Sequence, residues 1–454
     1  MLPFLSKTLN SVNQKFNGLP SGGLLLLTFR LFALGLSYVF TWVVANYFGA
    51  SVLGSYALMN ATVMVGVLVT RSGLDQFILR EVSSVEKSNT DAYGGTYRGI
   101  LGIQLTFGVS FSLVLFFSAD WLSKAWLDAP EMGEILKLAS IIIIPLALNF
   151  LHAEGFRGRK QLFNYISLVR IWPLVLTLIG VAIALPMRDN SANTFFYVYF
   201  ASVLSTMLLG ITLWRANTGI LTVPSFDVSH WSNLLRQSFP MLLAGSMFLI
   251  MGWTDTFMLG FFEQPESVGF YHVAIKVSNV VSLVLFGING IAAPKISYSW
   301  ANKLKQEFAS TIQSSATLSF IFSLPLMLLI IVFRHELLAF FGEGMEVASL
   351  ALIFLTIGQF VNGSCGSVMN ILQMTHNQKY AQYVLMIAAL VNVVLNAILI
   401  PKYGIEGAAV STGCSTALWN ILSVFVVRWR VQVWSVPFSG RLSSVLKLIR
   451  DKRS

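Results

Sequence analysis

Apolar segments that are long enough to cross a bilayer follow one another along most of the sequence. A transmembrane helix needs about 20 consecutive, mainly apolar residues. Only 11% of the 454 residues are charged, whereas soluble domains carry about 25%, so the chain lacks the polar surface of a soluble protein. The sequence therefore predicts an all-α polytopic membrane protein with about twelve transmembrane helices, at residues 24–48, 52–71, 97–118, 134–153, 161–185, 194–215, 236–261, 267–291, 308–333, 347–374, 380–400 and 404–428.

The distribution of Lys and Arg indicates how these helices are oriented. If the N-terminus is cytoplasmic, only four of the 30 Lys and Arg residues fall in the loops on the opposite side, namely Lys124, Arg188, Arg334 and Lys402. Cytoplasmic loops of membrane proteins carry an excess of Lys and Arg. We therefore expect both termini to lie in the cytoplasm.

A polar segment near the middle of the chain divides it into two halves of six predicted helices. This segment contains Gly219 and Pro224 and has the composition of a linker. The predicted domains are an N-terminal six-helix bundle with an interfacial leader helix (1–215), a cytoplasmic linker (216–235), a C-terminal six-helix bundle (236–428) and a basic cytoplasmic tail (429–454).

A short internal repeat relates the two halves. Gly54 and Tyr56 follow the first predicted helix, and Gly269 and Tyr271 follow the seventh at a distance of 215 residues. The two halves have equal helix counts and the same orientation. We therefore expect a pseudo-two-fold axis along the membrane normal, with a substrate path between the halves.

Four ionisable residues are expected at membrane depth: Arg30, Arg170, Asp255 and Lys276. A charge there costs about 2.5–3.5 kcal/mol on insertion scales, so such residues usually face a cavity or a partner.

Each of these residues also has a purely structural explanation. Asp255 and Lys276 could form an ion pair between neighbouring helices. Arg30 could extend its side chain to the cytoplasmic interface, and Arg170 could bond to backbone carbonyls freed by Pro173.

Several motifs of the second half carry a resemblance to a known family. They are P-x(14)-D-x-x-M-L-G from Pro240 to Gly260, V-G-F-Y-x-x-A-x-K from Val268 to Lys276, the later Pro294, and Y-G-I-E-G-A-A-V-S-T-G from Tyr403 to Gly413. The chain resembles, over about residues 20–430, the polysaccharide transporters. These are O-antigen and exopolysaccharide repeat-unit flippases of the multidrug/oligosaccharidyl-lipid/polysaccharide flippase superfamily.

The resemblance implies a V-shaped pair of six-helix bundles that works by alternating access in the bacterial cytoplasmic (inner) membrane. The implied substrate is a polyprenyl-diphosphate-linked oligosaccharide used for surface polysaccharide such as the O-antigen of lipopolysaccharide. The implied partners are membrane lipids, a polysaccharide polymerase and a chain-length regulator. The resemblance implies neither a cofactor nor a metal.

The net positive charge of the ionisable residues expected at membrane depth fits a negatively charged diphosphate. Arg30, Arg170 and Lys276 outnumber the one clear intramembrane acid, Asp255. Lys276 shares a helical face with His272 and Asn279. Arg binds phosphate oxygens in bidentate fashion and Lys binds them as a point charge. The predicted diphosphate site therefore comprises the three cations with His272 and Asn279, and the predicted coupling residue is Asp255.

Two other function classes stay open at this point. A drug/cation antiporter of the same superfamily should carry intramembrane acids for its cations, and this chain carries mainly cations. A polymerase or glycosyltransferase should show a large outer loop or catalytic acids, but the longest outer loop, about 119–133, is too short for a domain. No catalytic motif is present, and the basic residues do not form one nucleic-acid-binding patch, so we expect neither an enzyme nor a nucleic-acid-binding protein.

The predicted orientation can be tested with fusions in a bacterial host. Alkaline phosphatase fused after Glu263 should be active because that loop is expected outside, and the same enzyme fused after Lys303 should be inactive. Activity measurements with immunoblot control of fusion level decide the question. The reverse pattern would overturn the orientation.

Overall fold

The structure is a computed structural model that describes residues 19–85, 91–184, 191–220 and 223–439. The predicted leader helix lies outside these residues, as does the basic tail beyond residue 439. The helices of the first part of the chain are α1 (Leu19–Arg71), α2 (Leu74–Ser84), α3 (Asp91–Ala125), α4 (Met132–Gly158), α5 (Leu162–Ala184) and α6 (Ala192–Thr218).

The second part of the chain is also helical. Its helices are α7 (Val228–Phe262), α8 (Pro265–Ser278), α9 (Val280–Ala301), α10 (Lys305–Val332), α11 (Arg334–Ala339), α12 (Ser349–Ser364), α13 (Val368–Met374) and α14 (Gln378–Val431), with a 3₁₀ turn at Met345–Ala348.

Two helices are bent at a glycine. Helix α1 has 53 residues and α14 has 54, so each would be about 80 Å long if straight, which exceeds the thickness of a bilayer. Gly49 has a φ of 86° inside α1, and Gly404 has a φ of 51° inside α14. Residues with a side chain rarely adopt such a φ. Each bend therefore divides one helix into two spans.

The number of spans agrees with the sequence prediction. In the part of the chain that the structure describes, nine helices are long and apolar enough to cross a membrane. Two of these, α1 and α14, contain two spans each, and α7 supplies the span expected at 236–261. The predicted all-α polytopic fold is confirmed.

Three predicted spans contain irregular turns that the sequence pattern did not reveal. The span at 267–291 is interrupted at Asn279, between α8 and α9, and the span at 347–374 is interrupted at 365–367, between α12 and α13. Gly366 has a φ of 69° in the second interruption. The span at 161–185 contains a π-helical turn at Ser167–Ile171, directly before Trp172 and Pro173. Proline cannot donate the backbone hydrogen bond of a regular helix, which favours such a turn.

The chain forms two compact units. Unit 1 comprises Met1–Ser246 and Glu263–Glu266, and unit 2 comprises Met247–Phe262 and Ser267–Ser454. The division falls within α7, later than the linker predicted at 216–235. Ser225 of that segment donates its N–H to the Arg98 carbonyl of α3 at 2.8 Å, so this part of the linker packs on unit 1. The predicted domain boundaries stay a prediction.

Unit 1 is built around α4, which packs against α1, α2, α3 and α6. At one end of α4 the Trp214 ring stacks on Tyr97, with ring centroids 5.3 Å apart, and meets Phe156 edge-on at 5.4 Å. All three aromatic side chains are fully buried. Their burial fixes α3, α4 and α6 against one another.

Unit 2 is organised around α12, which packs against α9, α10 and α14. At one point α12 and α14 approach so closely that a Cβ atom added at Gly358 would lie 2.7 Å from the Gly413 Cα atom. Small residues at such positions allow the dispersion contacts that hold transmembrane helices together.

This close approach predicts a stability loss for Gly358→Ala. The added methyl group would force α12 and α14 apart, at a cost of about 1–3 kcal/mol. The melting temperature of the purified protein in detergent should fall by several degrees. The matched control is Gly290→Ala, because a Cβ atom at Gly290 meets nothing within 4 Å. Equal melting temperatures for the two variants would contradict the packing argument.

Candidate substrate and coupling sites

The Asp255 carboxylate is the centre of a buried hydrogen-bond cluster in unit 2. Asp255 lies on α7 and is 2% exposed. Its Oδ1 accepts from Asn396 Nδ2 at 2.6 Å, and its Oδ2 accepts from the Tyr271 hydroxyl at 3.0 Å. The Thr412 hydroxyl also donates to Oδ2. Asn396 Nδ2 is in addition 3.2 Å from Asn392 Oδ1. The cluster joins α7, α8 and both limbs of α14.

All of these partners of Asp255 are neutral. The ion pairs within the described residues are Arg71–Asp75, Arg80–Glu81, Lys137–Asp120 and Arg157–Glu154, and none includes Asp255. The alternative of an Asp255–Lys276 ion pair is therefore wrong. A buried charge is costly unless it is paired or hydrogen-bonded, and here neutral donors to both carboxylate oxygens provide the compensation.

Tyr56, the counterpart of Tyr271 in the internal repeat, packs among aromatic rings in unit 1. The Phe40 and Tyr56 rings are 5.2 Å apart, and Tyr56 meets Tyr199 of α6 edge-on at 5.3 Å. Tyr271 has different surroundings in unit 2, because its hydroxyl donates to the Asp255 carboxylate.

Arg30 and Arg170 lie on neighbouring helices of unit 1. Helices α1 and α5 pack together, and the Phe29 and Phe163 rings are 4.9 Å apart. Both arginine side chains are exposed. Arg170 lies in the π-helical turn and bonds to no residue that the structure describes, so the alternative in which it bonds to carbonyls freed by Pro173 is not observed. Exposed cations in a transmembrane segment usually face a water-filled path or a partner.

The remaining predicted site residues lie on or beside α8 in unit 2. His272, Lys276 and Asn279 are each half-buried. The Asn279 Oδ1 atom accepts from Gln359 Nε2 at 3.0 Å, and Gln359 Oε1 accepts from Asn362 Nδ2 at 3.3 Å. Asn279 is thus held by an amide chain that leads to α12. Whether these residues form one site with Arg30 and Arg170 stays a prediction.

Two members of the Asp255 cluster, Tyr271 and Thr412, were not predicted as site residues. The sequence left two roles open for Asn392 and Asn396, interhelical hydrogen bonding and contact with sugar hydroxyls. One signal was available, since Asn392 and Asn396 are four residues apart and therefore share a helical face. Another was the repeat itself, which singles out Tyr271.

Comparisons with known proteins identify the family and the fold. Residues 43–346 match the family Polysacc_synt_3, described as polysaccharide biosynthesis protein. The chain is 25% identical over 398 residues to a "probable low-salt glycan biosynthesis flippase", Agl15, of Haloferax volcanii. The match covers 87% of this chain and 80% of that protein.

Two solved structures share the architecture at low sequence identity. The inward closed lipid II flippase MurJ has a TM-score of 0.75 at 14% identity, covering 89% of this chain and 87% of that one. An inward-facing MATE-family multidrug resistance transporter has a TM-score of 0.72 at 13% identity, covering 88% and 94%. The match over residues 43–346 shows that the chain belongs to the polysaccharide biosynthesis protein family Polysacc_synt_3, and the two solved structures show that it shares their fold.

Proposed function

We propose that this protein is a flippase that moves polyprenyl-diphosphate-linked oligosaccharides across the cytoplasmic membrane by alternating access. The observation that carries the proposal is the pair of exposed cations, Arg30 and Arg170, on adjacent membrane-spanning helices of unit 1. Exposed cations at membrane depth suit an anionic headgroup. The glycan biosynthesis flippase named above supports the same substrate class.

The proposed cargo is a repeat unit for surface polysaccharide such as O-antigen or exopolysaccharide. Arg30, Arg170 and Lys276 contact its diphosphate in at least one conformational state, with His272 and Asn279 beside Lys276. A conformational change follows when the headgroup contacts one state better than the other, because only differential binding shifts such an equilibrium. Both termini are cytoplasmic, and a polymerase with its chain-length regulator receives the product on the outer side.

We propose that Asp255 couples the conformational change to a cation or proton. Its surroundings are neutral, so the net charge of the cluster depends on Asp255 alone. Gain or loss of a positive charge there changes which arrangement of α7, α8 and α14 is favoured.

A drug/cation antiporter is the alternative within the same superfamily. That function requires acidic side chains that face the substrate. In the structure both oxygens of Asp255 accept hydrogen bonds from other side chains, and the exposed ionisable groups Arg30 and Arg170 are cations. This charge pattern favours the anionic lipid-linked substrate.

The role of Arg170 can be tested by substitution. Arg170→Ala should remove a charge-assisted contact worth roughly 2–5 kcal/mol, so surface polysaccharide should fall sharply and lipid-linked repeat units should accumulate inside. Arg170→Lys should restore transport only partly, because Lys lacks the bidentate fork. Complementation of a flippase-deficient strain, with immunoblot control of protein level, provides the measurement.

The matched control for Arg170 is Arg98→Ala, which removes an exposed arginine at the cytoplasmic end of α3 in the predicted topology. This control should retain wild-type transport. Normal polysaccharide from Arg170→Ala at wild-type abundance would contradict the diphosphate contact.

The coupling role predicts that Asp255→Asn slows transport in a protein that still reaches the membrane. The substitution removes the charge and one of two oxygen acceptors, while Tyr271→Phe removes a single donor and leaves the charge in place. Transport by reconstituted protein should therefore fall much further for Asp255→Asn than for Tyr271→Phe. Equal losses in the two variants would show that Asp255 has a structural role only.

A further inference from the structure

Unit 2 contains a half-open cavity of about 250 Å³ that no predicted site residue lines. Its wall is formed by residues of α9, α12, α13 and α14 and of the interruption between α12 and α13. All eleven lining residues are uncharged. The polar or aromatic members that matter here are Ser282, Asn289, Asn362, Ser367, Asn370 and Trp419.

The interruption at 365–367 brings polar groups to the cavity wall. Gly366 adopts a φ of 69°, and a Cβ atom there would lie 3.0 Å from the Ala316 Cα atom, so only glycine allows the chain to turn this close to α10. The Ser435 hydroxyl donates to the Cys365 carbonyl at 2.7 Å and satisfies a backbone group that the break frees. Ser367 in turn donates to Asn289 Oδ1 on α9.

Hydrogen bonds within the cavity wall orient its asparagine side chains. Some donor and acceptor atoms of these side chains are not used by those bonds. Asn362 Nδ2 donates to Gln359 Oε1 at 3.3 Å, and Gln359 is itself held by Asn279. These bonds use neither Asn362 Oδ1 nor Asn289 Nδ2. The Asn370 amide makes no hydrogen bond to any residue within the described ranges.

The chemistry of this wall fits a neutral, hydroxyl-rich ligand. Each amide offers both donors and an acceptor, which suits hydroxyl groups in either role. A phosphate would find no cation in the wall, and a purely apolar group would leave the amides unpaired at a cost. Trp419 provides an aromatic surface against which the apolar face of a ring can pack. The volume is below the roughly 300–1,000 Å³ of pockets for drug-sized ligands, so it suits one ring.

We propose that this cavity is a subsite for one neutral sugar ring of the lipid-linked substrate, with Asn362 and Asn370 bonding to its hydroxyl groups. The inference rests on the proposed transport function and adds a site that recognises the sugar separately from the diphosphate. In the predicted orientation the cavity lies in the cytoplasmic half of unit 2, so the ring enters it before the substrate crosses the membrane.

The test compares two kinds of probe on the full-length protein in nanodiscs. One set is synthetic polyprenyl diphosphates that carry a single glucose, galactose or N-acetylglucosamine. The reference is the same lipid without a sugar. Wild-type protein should bind at least one sugar-bearing probe about ten-fold more tightly than the reference, because one or two net hydrogen bonds supply that difference.

Substitution of the cavity amides should remove this preference. Asn370→Ala and Asn362→Ala should each lose most of the ten-fold difference, and Asn370→Ala should bind the sugar-free lipid as wild type does. The matched control is Asn302→Ala, an exposed asparagine outside the cavity, which should keep the preference. Trp419→Phe should retain more of it than Trp419→Ala. Size-exclusion profiles identify any variant that misfolds, and Ser282→Ala then provides a further cavity variant.

The outcomes separate the subsite from the proposed function. Loss of the sugar preference in the cavity variants, but not in the Asn302→Ala control, supports the subsite. Wild-type binding that is equal for all probes overturns it, as does an unchanged preference in Asn370→Ala and Asn362→Ala, and both leave the flippase proposal in place. Failure of wild-type protein to bind any diphosphate-linked probe overturns the proposed function and the subsite with it.

Discussion

The structure depends on the need to satisfy every backbone polar group inside the bilayer. A transmembrane segment has no water to replace a lost hydrogen bond, so helices are the default and each interruption needs a local solution. At 365–367 the solution combines Gly366 with the Ser435 hydroxyl, which bonds to the Cys365 carbonyl. The neutral cavity of unit 2 lies at this interruption, because the turn brings Gly366 and Ser367 to its wall. Gly49 and Gly404 instead lie where one span ends and the next begins, and a positive φ there allows the chain to change direction.

Much of the fold was predictable because the hydrophobicity and the length of a segment are both properties of consecutive residues. The twelve spans follow from runs of about 20 apolar residues, and the sequence placed boundaries close to Gly49 and Gly404. The interruptions at Asn279 and at 365–367 were not predicted, since hydrophobicity continues through both. At 365–367 the turn depends on a tertiary contact, because Gly366 packs on Ala316. Asn279 keeps helical φ and ψ angles of −64° and −15°, and its side chain bonds to Gln359, 80 residues away. A pattern read along one segment carries no information about such partners.

The residues of the candidate site were likewise predictable only in part. Asp255 could be identified from the cost of a charge in the membrane, which depends only on its position in an apolar segment. Its partners Asn396 and Thr412 are 141 and 157 residues away, so no local pattern connects them with it. The alternative of an ion pair with Lys276 assumed that a buried charge needs an opposite charge. Three neutral donors perform that task here, and they leave the charge of the cluster sensitive to a single residue.

The two tyrosines that the internal repeat relates have different surroundings in the two units. Tyr56 packs against the rings of Phe40 and Tyr199 in unit 1, whereas Tyr271 in unit 2 donates to the Asp255 carboxylate, which also accepts from Thr412. Ring packing does not depend on the ionisation of Asp255, but the strength of a hydrogen bond to a carboxyl group changes with its charge. The Asp255 cluster is therefore a contact between α7, α8 and α14 whose strength depends on the charge of one side chain. The amides of the unit 2 cavity have no such dependence, because their hydrogen-bonding capacity does not vary with protonation.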